Sequence, residues 1–378
     1  MKNYKKLKII MKKIKGAGLS GLASAVSLAL KGEKTIVMDR SSQIGSKFPE
    51  SVHAFRNYSS QLDEYELIKY RKFLIKHLKP IHKIIKLGPS LVPSIMYAED
   101  RPLFYAVKRG NSEESIDRQL FDQAESLGVT FNFKANSDKD VDIIATGPAF
   151  STEIGYGHHY KGVDVDPDTI IFLLNDDYAP KGYSYAIPYG NDSVSVVTTT
   201  FDPKSFSKMP ILFSKLIKEV SAFSDLVDGG KKGPVFAKIG FSLMPRTAKI
   251  KNKLLVGEAA GFSEADRGFG MHYALESGFL AAKSLMEGLD YDRLWKESFE
   301  KELLKAFKRR LILNRIGNNE YDKLINSGTE MSAKDYVKHK EEQNKNLIKD
   351  ELDNIRLEYE IDKLQKKFDI EKLYERVS

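Results

Sequence analysis

Two segments more than 200 residues apart constrain the fold of this 378-residue chain more than anything else in it. The first is Gly16-Ala17-Gly18-Leu19-Ser20-Gly21. The second runs from Lys253 through Leu254, Leu255, Val256, Gly257, Glu258, Ala259, Ala260 and Gly261 to Phe262, and is followed by Gly268-Phe269-Gly270-Met271. In the first, a strand must turn into a helix while its backbone closely approaches a pyrophosphate. Gly16 would supply the tight turn, Gly18 the close approach and Gly21 the contact of helix on strand. Leu22 to Leu30 follows as a small-residue amphipathic helix whose N-terminal N–H groups and dipole would face phosphates. Thr35-Ile36-Val37-Met38-Asp39 then reads as a second parallel strand. Its carboxylate falls roughly 20 residues past the glycines, where a ribose hydroxyl needs an acceptor. The competing interpretation is a glycine-rich turn with a surface aspartate. Lys12-Lys13-Ile14-Lys15 is also a poor buried strand, because parallel strands covered on both faces usually read as continuous apolar runs.

The second segment turns a generic dinucleotide site into an expectation of FAD. Leu254-Leu255-Val256 has the pattern of a short buried strand, and Gly257, Ala259, Ala260 and Gly261 leave a narrow passage in which Glu258 is the one charged group. Gly268-Phe269-Gly270 opens a helical pattern from Met271 to Lys283. The positive end of that helix would meet the N1/C2-oxygen edge of a flavin, which carries negative charge when reduced.

Together these stretches resemble the signature of the p-hydroxybenzoate-hydroxylase-like flavoproteins, and within them most closely the geranylgeranyl reductase family. Two further stretches agree. Ile116-Asp117-Arg118-Gln119-Leu120-Phe121-Asp122 resembles the arginine-bearing helix near the FAD pyrophosphate, and Asp142-Ile143-Ile144-Ala145-Thr146-Gly147-Pro148 resembles the strand and turn beside the adenosine. The resemblance anchors residues 12 to 290. It implies an α/β fold: a discontinuous Rossmann-like FAD-binding domain (1–75, 111–155 and 246–290), an antiparallel-sheet substrate domain (76–110 and 156–245) and a helical C-terminal region (291–378). It assigns Gly16, Ala17, Gly18, Leu19, Ser20 and Gly21 to the pyrophosphate turn and Asp39 to the ribose. Arg40, Lys47, Arg118 and Gly147 fall along the phosphate and adenosine side, Gly257 and Glu258 beside the ribityl chain, and Gly268, Phe269, Gly270 and Met271 at the flavin ring. Two departures stand out. Glu258 replaces the family's usual aspartate, and Phe48-Pro49-Glu50-Ser51 follows Ile44-Gly45-Ser46-Lys47 where many reductases carry a cysteine and small residues.

The segment between the cofactor motifs reads as the substrate lobe. Tyr178 to Thr200 alternates aromatic and β-branched residues around Gly190-Asn191-Asp192, which predicts an antiparallel hairpin. Tyr183, Tyr185, Pro188 and Tyr189 are the expected pocket wall, although aromatics at period two also describe ordinary sheet core. The apolar stretch from Leu87 to Tyr105 could add to that wall. Tyr185 and His272 are the weak catalytic candidates. His158-His159 reads as a loop pair without ligand spacing, and His53, His77, His82 and His339 read as solvent-exposed.

Composition excludes other classes. Zero cysteines rule out disulfides, thiolate metal sites and a dithiol redox centre, so electron chemistry would belong to a bound cofactor; no metal site is expected. The formal charge of +8 comes with scattered lysines and no nucleic-acid motif, which argues against a nucleic-acid partner. No apolar run approaches the roughly 20 residues of a membrane span, and Ile9-Ile10-Met11 is too short for a signal-peptide core. A cytoplasmic protein is expected. The helix Phe299 to Leu313, with apolar residues at 299, 303, 304, 307 and 311 flanked by basic side chains, reads as packed on its own domain with a solvated basic edge; attachment to an anionic membrane face is the alternative. From Lys334 to Arg376 the highly charged chain, with Leu347, Ile348, Leu352, Ile355, Leu357, Tyr359, Ile361 and Leu364 at roughly helical spacing, predicts one or two long helices.

By resemblance, the expected activity is transfer of a hydride from reduced FAD to a carbon-carbon double bond of a hydrophobic isoprenoid lipid. Electrons would come from an external donor, either a small redox protein or NAD(P)H. The rival interpretations are an FAD-dependent monooxygenase of an aromatic or polyketide substrate, and a non-catalytic flavoprotein whose helical tail binds partners. A halogenase is disfavoured by a single tryptophan, Trp295.

Overall fold

The computed structural model describes residues 11–48, 51–58, 62–135, 140–148, 150–339 and 351–367, excluding the side chains of 236–239, 351–355 and 367. Its first layer is a six-stranded sheet in the order Lys249–Ile250, Lys253–Leu255, Ile143–Ile144, Lys12–Lys15, Thr35–Asp39, Thr130–Phe133. Every pairing is parallel except the outermost, between Lys249–Ile250 and Lys253–Leu255. Lys12–Lys15 therefore sits inside the sheet despite its lysines. Ile14 alone is fully buried, while the three lysines stay half-exposed on a strand of four residues, so the burial cost is avoided.

Helix Leu19–Ala29 covers this sheet with buried Leu22, Ala23, Val26 and Leu28, and packs closely against helix Met271–Glu287. Small residues permit that approach: a Cβ on Gly278 would overlap the Ser20 carbonyl and crowd Ala23. The late segment is thereby brought against the early one, and both belong to the same hydrophobic core.

The second layer is an eight-stranded sheet ordered Lys231–Gly240, Glu153–Lys161, Ser193–Thr200, Tyr183–Pro188, Thr169–Leu173, Lys83–Leu87, Ser94–Tyr97, Glu330–Ser332. The expected hairpin is the antiparallel pair Tyr183–Pro188 and Ser193–Thr200. A three-stranded sheet of Ser51–Arg56, Phe104–Arg109 and Lys79–Ile81 joins the layers. Ser51–Arg56, grouped with the first cofactor segment in the sequence reading, pairs instead with Phe104–Arg109, and the Val52 N–H donates to Ser195 Oγ of the large sheet at 3.0 Å.

The C-terminal region is more than helical. Helix Tyr291–Leu313 buries Trp295, Phe299, Leu303 and Ala306 against the first core, after which Glu330–Ser332 adds a parallel strand beside Ser94–Tyr97. Arg309 and Arg310 do not form the expected solvated edge. Arg309 Nε lies 2.6 Å from the buried carboxylate of Asp266, and Arg310 is 8% exposed with its guanidinium over the Phe201 ring. The last helix, Glu351–Lys367, buries Leu357 and Ile361, whereas Leu347 and Ile348 lie outside the described residues. Among the described residues no helix is long and apolar enough to cross a membrane, and no cluster of metal-ligating side chains occurs.

Candidate cofactor and substrate site

A single cavity of about 670 Å³ runs between the two layers, in the upper half of the range of about 300–1,000 Å³ usual for ligand sites. One half is built from turns. Ala17, Gly18, Leu19 and Ser20 line it together with Asp39, Arg40, Lys47, Thr146 and Gly147, while Glu258 and Gly268 to Met271 line it from the other side. Gly16 stands one layer behind at φ +108°, where a Cβ would overlap the Ala145 carbonyl. Gly18 differs: a Cβ there would meet nothing within 4 Å and would project into the open cleft. Gly257 also lies behind the wall, its N–H donating to Ser277 Oγ at 2.9 Å.

Asp39 ties the turn together. It accepts from the Ala17 N–H at 2.7 Å and from the Ser41 N–H and hydroxyl. Burial opposes its ionisation, but these hydrogen bonds outweigh that and hold the carboxyl below the usual carboxylate range. Lys47 reaches across to the Thr146 carbonyl at 3.5 Å; burial and the neighbouring Arg40 push its ammonium below the ordinary lysine value. Glu258 accommodates its extra methylene by extending toward the start of helix Met271–Glu287, its Oε1 3.7 Å from where a Gly270 Cβ would stand. Pro49 and Glu50 lie outside the described residues.

The cavity departs from the sequence expectation on its cofactor side, where Gly16, Gly21 and Gly257 stand behind the wall and two side chains turn away. Arg118 does not line it: on helix Ile116–Ser126 it faces outward, paired with Asp122 at 2.7 Å. One position back, about 100° around the helix, Asp117 faces inward and grips Arg109 through two hydrogen bonds of 2.7 and 2.9 Å. Arg109 lines the cleft over the Phe48 ring, and its sequence signal was only a basic residue at a strand end. His272 likewise turns away from the cavity. Its Nδ1 lies 2.9 Å from Glu64 Oε2, and although burial disfavours its charge, the Glu64 carboxylate raises its pKa above the ordinary imidazole value. It is therefore not placed to act on a bound substrate.

The other half of the cavity is made of side chains on strands. Tyr183, Tyr185 and Ile187 share one face at period two and line the chamber with Ile84, Phe104, Ile170 and Phe172. Pro188 and Tyr189 do not line it. The strand ends at Pro188, and the chain turns so that the Tyr189 hydroxyl donates to the His77 carbonyl at 3.2 Å. Tyr183 donates its hydroxyl to the Arg267 carbonyl, fixing the loop that leads to Gly268. Burial, reinforced by the nearby Glu153, raises the Tyr185 phenol well above its ordinary value, so it holds its proton.

Three histidines expected at the surface are buried. His53 lines the cavity, with Nε2 3.1 Å from Ser51 Oγ and its ring edge-on to Phe48. His158 and His159 lie in strand Glu153–Lys161 rather than in a loop, bonded to the Gly233 carbonyl and to Ser195 Oγ. Sequence reasoning also missed Tyr58, Lys86, Arg267 and Tyr336, all of which line the chamber. Lys86 carried a signal: a lone charge inside the apolar run Ile84-Ile85-Lys86-Leu87.

The described residues fit FAD. A glycine cradle open where a Cβ would intrude, an acid at the second strand end, a buried arginine beside the phosphate path and a helix start at the far end suit its pyrophosphate, ribose and ring in that order. The fold and this cleft are those of a two-layer flavoprotein with a Rossmann-like FAD-binding domain. No protein-family profile matches the chain. A digeranylgeranylglycerophospholipid reductase of Methanothermobacter thermautotrophicus is 27% identical over 189 residues, 47% of this chain and 48% of the relative, so that this match spans about half of each protein. Reductases of the same name from Methanothrix thermoacetophila (20% identical) and Thermoplasma acidophilum (25%) align over 82% of the chain and 89% of their own length. Among solved structures, a geranylgeranyl bacteriochlorophyll reductase-like protein of Thermoplasma acidophilum superposes with a TM-score of 0.70 at 18% identity, covering 85% of this chain and 93% of that one. A flavin-dependent brominase variant gives 0.60 at 14% identity, covering 83% and 92%. The chain is thus similar to geranylgeranyl reductases over most of its length, and shares their fold.

Proposed function

We propose that the protein is an FAD-dependent oxidoreductase that saturates carbon-carbon double bonds of an isoprenoid lipid. The observation that carries this reading is the continuity of the cleft: the glycine turn and helix start that suit FAD open without interruption into an apolar chamber walled by Ile84, Phe104, Ile170, Phe172 and Ile187. When bound and reduced, FAD supplies the hydride. The chain's own residues position the alkene, keep water out and deliver the proton.

Tyr185 is the proposed proton donor. It lies in the chamber wall, where burial keeps it protonated, and its hydroxyl would transfer a proton to the alkene carbon opposite the one receiving hydride, the resulting phenolate regaining a proton from water before the next turnover. The cofactor contacts are proposed to be Gly18 for the pyrophosphate, Asp39 for the ribose, Arg109 in place of Arg118 for the phosphates, and Gly268 to Met271 for the ring. Electrons come from an external donor, a small redox protein or NAD(P)H, and the enzyme works in the cytoplasm or at the inner membrane face, where its lipid resides.

The test is anaerobic. Protein loaded with FAD and reduced by dithionite is mixed with geranylgeranyl lipids, and the lipids are analysed by mass spectrometry. A gain of two hydrogens per double bond supports the reading; unchanged lipid refutes it. Oxygen-dependent NADPH consumption stimulated by aromatic compounds would point to the monooxygenase instead.

A further inference from the structure

We infer that Tyr336, carried on the C-terminal helical turn, is the stop that sets how much of a prenyl chain the chamber can hold, and so determines chain-length specificity. This rests on the proposed reading of the chamber as a prenyl-lipid site, and it names the part of the wall that measures the lipid.

The place of Tyr336 follows from a row of rings. Phe269 belongs to the turn that suits the flavin and stacks on Phe104 with centroids 6.2 Å apart. Phe104 meets Tyr58 edge to face at 5.5 Å, and Tyr58 meets Tyr336 in the same way at 6.0 Å. All four rings line the cavity. Tyr336 therefore ends the row, three ring contacts out from the flavin-side turn. It is buried in the same apolar cluster as Ile84, Phe104 and Ile170, which wall the chamber. A chain that runs outward from the flavin along this row meets the Tyr336 ring.

That ring is braced from two sides. Lys86 Nζ, from strand Lys83–Leu87, stands 3.6 Å from its centre. On the Tyr58 side, Arg267 donates from Nη1 to the Tyr58 hydroxyl at 3.0 Å. The buried carboxylate of Asp266 lies 3.5 Å from Arg267 Nε and 2.6 Å from Arg309 Nε, which ties the arginine to helix Tyr291–Leu313. Arg267 thus works as a strut for Tyr58, and Tyr58 supports Tyr336. An aromatic held by ring and cation contacts gives them up if it swings aside, and a packed wall that does not yield rejects extra carbons by overlap.

The fold makes this one residue separable from the rest of the site. Phe104 begins a strand of the small sheet and Phe269 belongs to the flavin-side turn, so neither can change without disturbing its surroundings. Tyr336 comes from the turn 333–339, directly after Glu330–Ser332, which joins the large sheet at its edge beside Ser94–Tyr97. Within residues 330–339 no other side chain lines the cavity. Altering it changes the depth of the chamber and leaves the cofactor half as it is.

The test measures binding of prenol, geraniol, farnesol, geranylgeraniol and geranylfarnesol to the full chain loaded with oxidised FAD. Each is delivered from a cyclodextrin carrier and followed by calorimetry corrected for the carrier. A buried methylene adds about fourfold to affinity, so each isoprene unit that fits should add up to roughly 1,000-fold. The wild type should climb this ladder until the chain reaches Tyr336 and then stop climbing. Y336A removes the ring and opens room for one isoprene unit, so the stop should move one prenol longer, with a gain of roughly 10- to 1,000-fold for that prenol and FAD content unchanged. Y336F keeps the bulk and should leave the stop where it is, which separates size from the hydroxyl. Y336V makes the same test with a smaller opening if Y336A does not retain FAD. An unmoved stop, or a uniform loss of affinity at every length, overturns the assignment, as does a wild-type ladder that climbs without a stop through geranylfarnesol. Binding of no prenol at any length would instead refute the prenyl-lipid reading, and the stop with it.

Discussion

The two halves of the cleft are built on different principles. The half that suits FAD is made largely of backbone: the turn that carries Gly18 and the helix start at Gly270 leave room for a ligand against the main chain. The chamber half is made of side chains from strands and a helical turn far apart in sequence, from Lys86 through Tyr185 to Tyr336. A backbone-built site tolerates no added bulk but is indifferent to most neighbouring side chains. A side-chain site is set residue by residue, and so can be retuned without touching the cofactor.

The sharpest way to break this comparison is at Gly18. Its missing Cβ faces open cleft, so Gly18→Val should fold normally yet lose bound flavin completely, seen as colourless soluble protein. Stoichiometric FAD in that variant would contradict the backbone principle. Next in size is Tyr185→Phe, which keeps the wall and removes the proton. Turnover should fall by roughly 10²- to 10⁴-fold with the flavin spectrum and content unchanged; wild-type turnover would remove Tyr185 from the chemistry. A smaller effect separates two arginines on the cofactor side. Arg109→Met should weaken FAD affinity by roughly 10- to 100-fold, the worth of a charge-assisted contact, whereas Arg118→Met should change it by less than about twofold because that guanidinium points to solvent. Equal losses would mean that the helix rotates on binding.

The smallest effect concerns stability. His272 binds its proton more tightly in the folded protein because Glu64 faces it. Its contribution is therefore complete at pH below the ordinary imidazole value of about 6.5, and disappears as pH rises through the raised folded value. The difference in melting temperature between the wild type and His272→Gln should be largest in acid and shrink toward alkaline pH. A difference that grows with pH would mean that the Glu64 pair is not formed.

The same contrast explains how much could be read from the sequence. Gly18, Asp39, Gly268 and Met271 line the cleft and were legible as turn positions because a backbone turn leaves a local pattern. Tyr183 and Tyr185 could be found because strand periodicity fixes their face, but Pro188, the last residue of the strand, falls on the opposite face and Tyr189 lies beyond the strand end. Arg118 was expected on the phosphate side because a single helical position decides which residue faces inward, and Arg109 went unnoticed because its pairing with Asp117 is a tertiary contact. Lys86, Tyr58, Arg267 and Tyr336 had no common local pattern, since four separate segments supply them. His158 and His159 looked like a loop because neighbouring histidines suggest polarity, yet strands on both sides bury them.

The central claim is that one uninterrupted cleft holds both the flavin and the prenyl chain. It is tested most directly by titrating the FAD-loaded protein with a fully saturated, non-reducible prenyl phosphate while recording the flavin absorption band. A saturable shift of the band at the same lipid concentration that saturates binding is expected, since the chain must displace water next to the ring. Tight lipid binding with an unaltered flavin spectrum would place the lipid elsewhere and contradict the account.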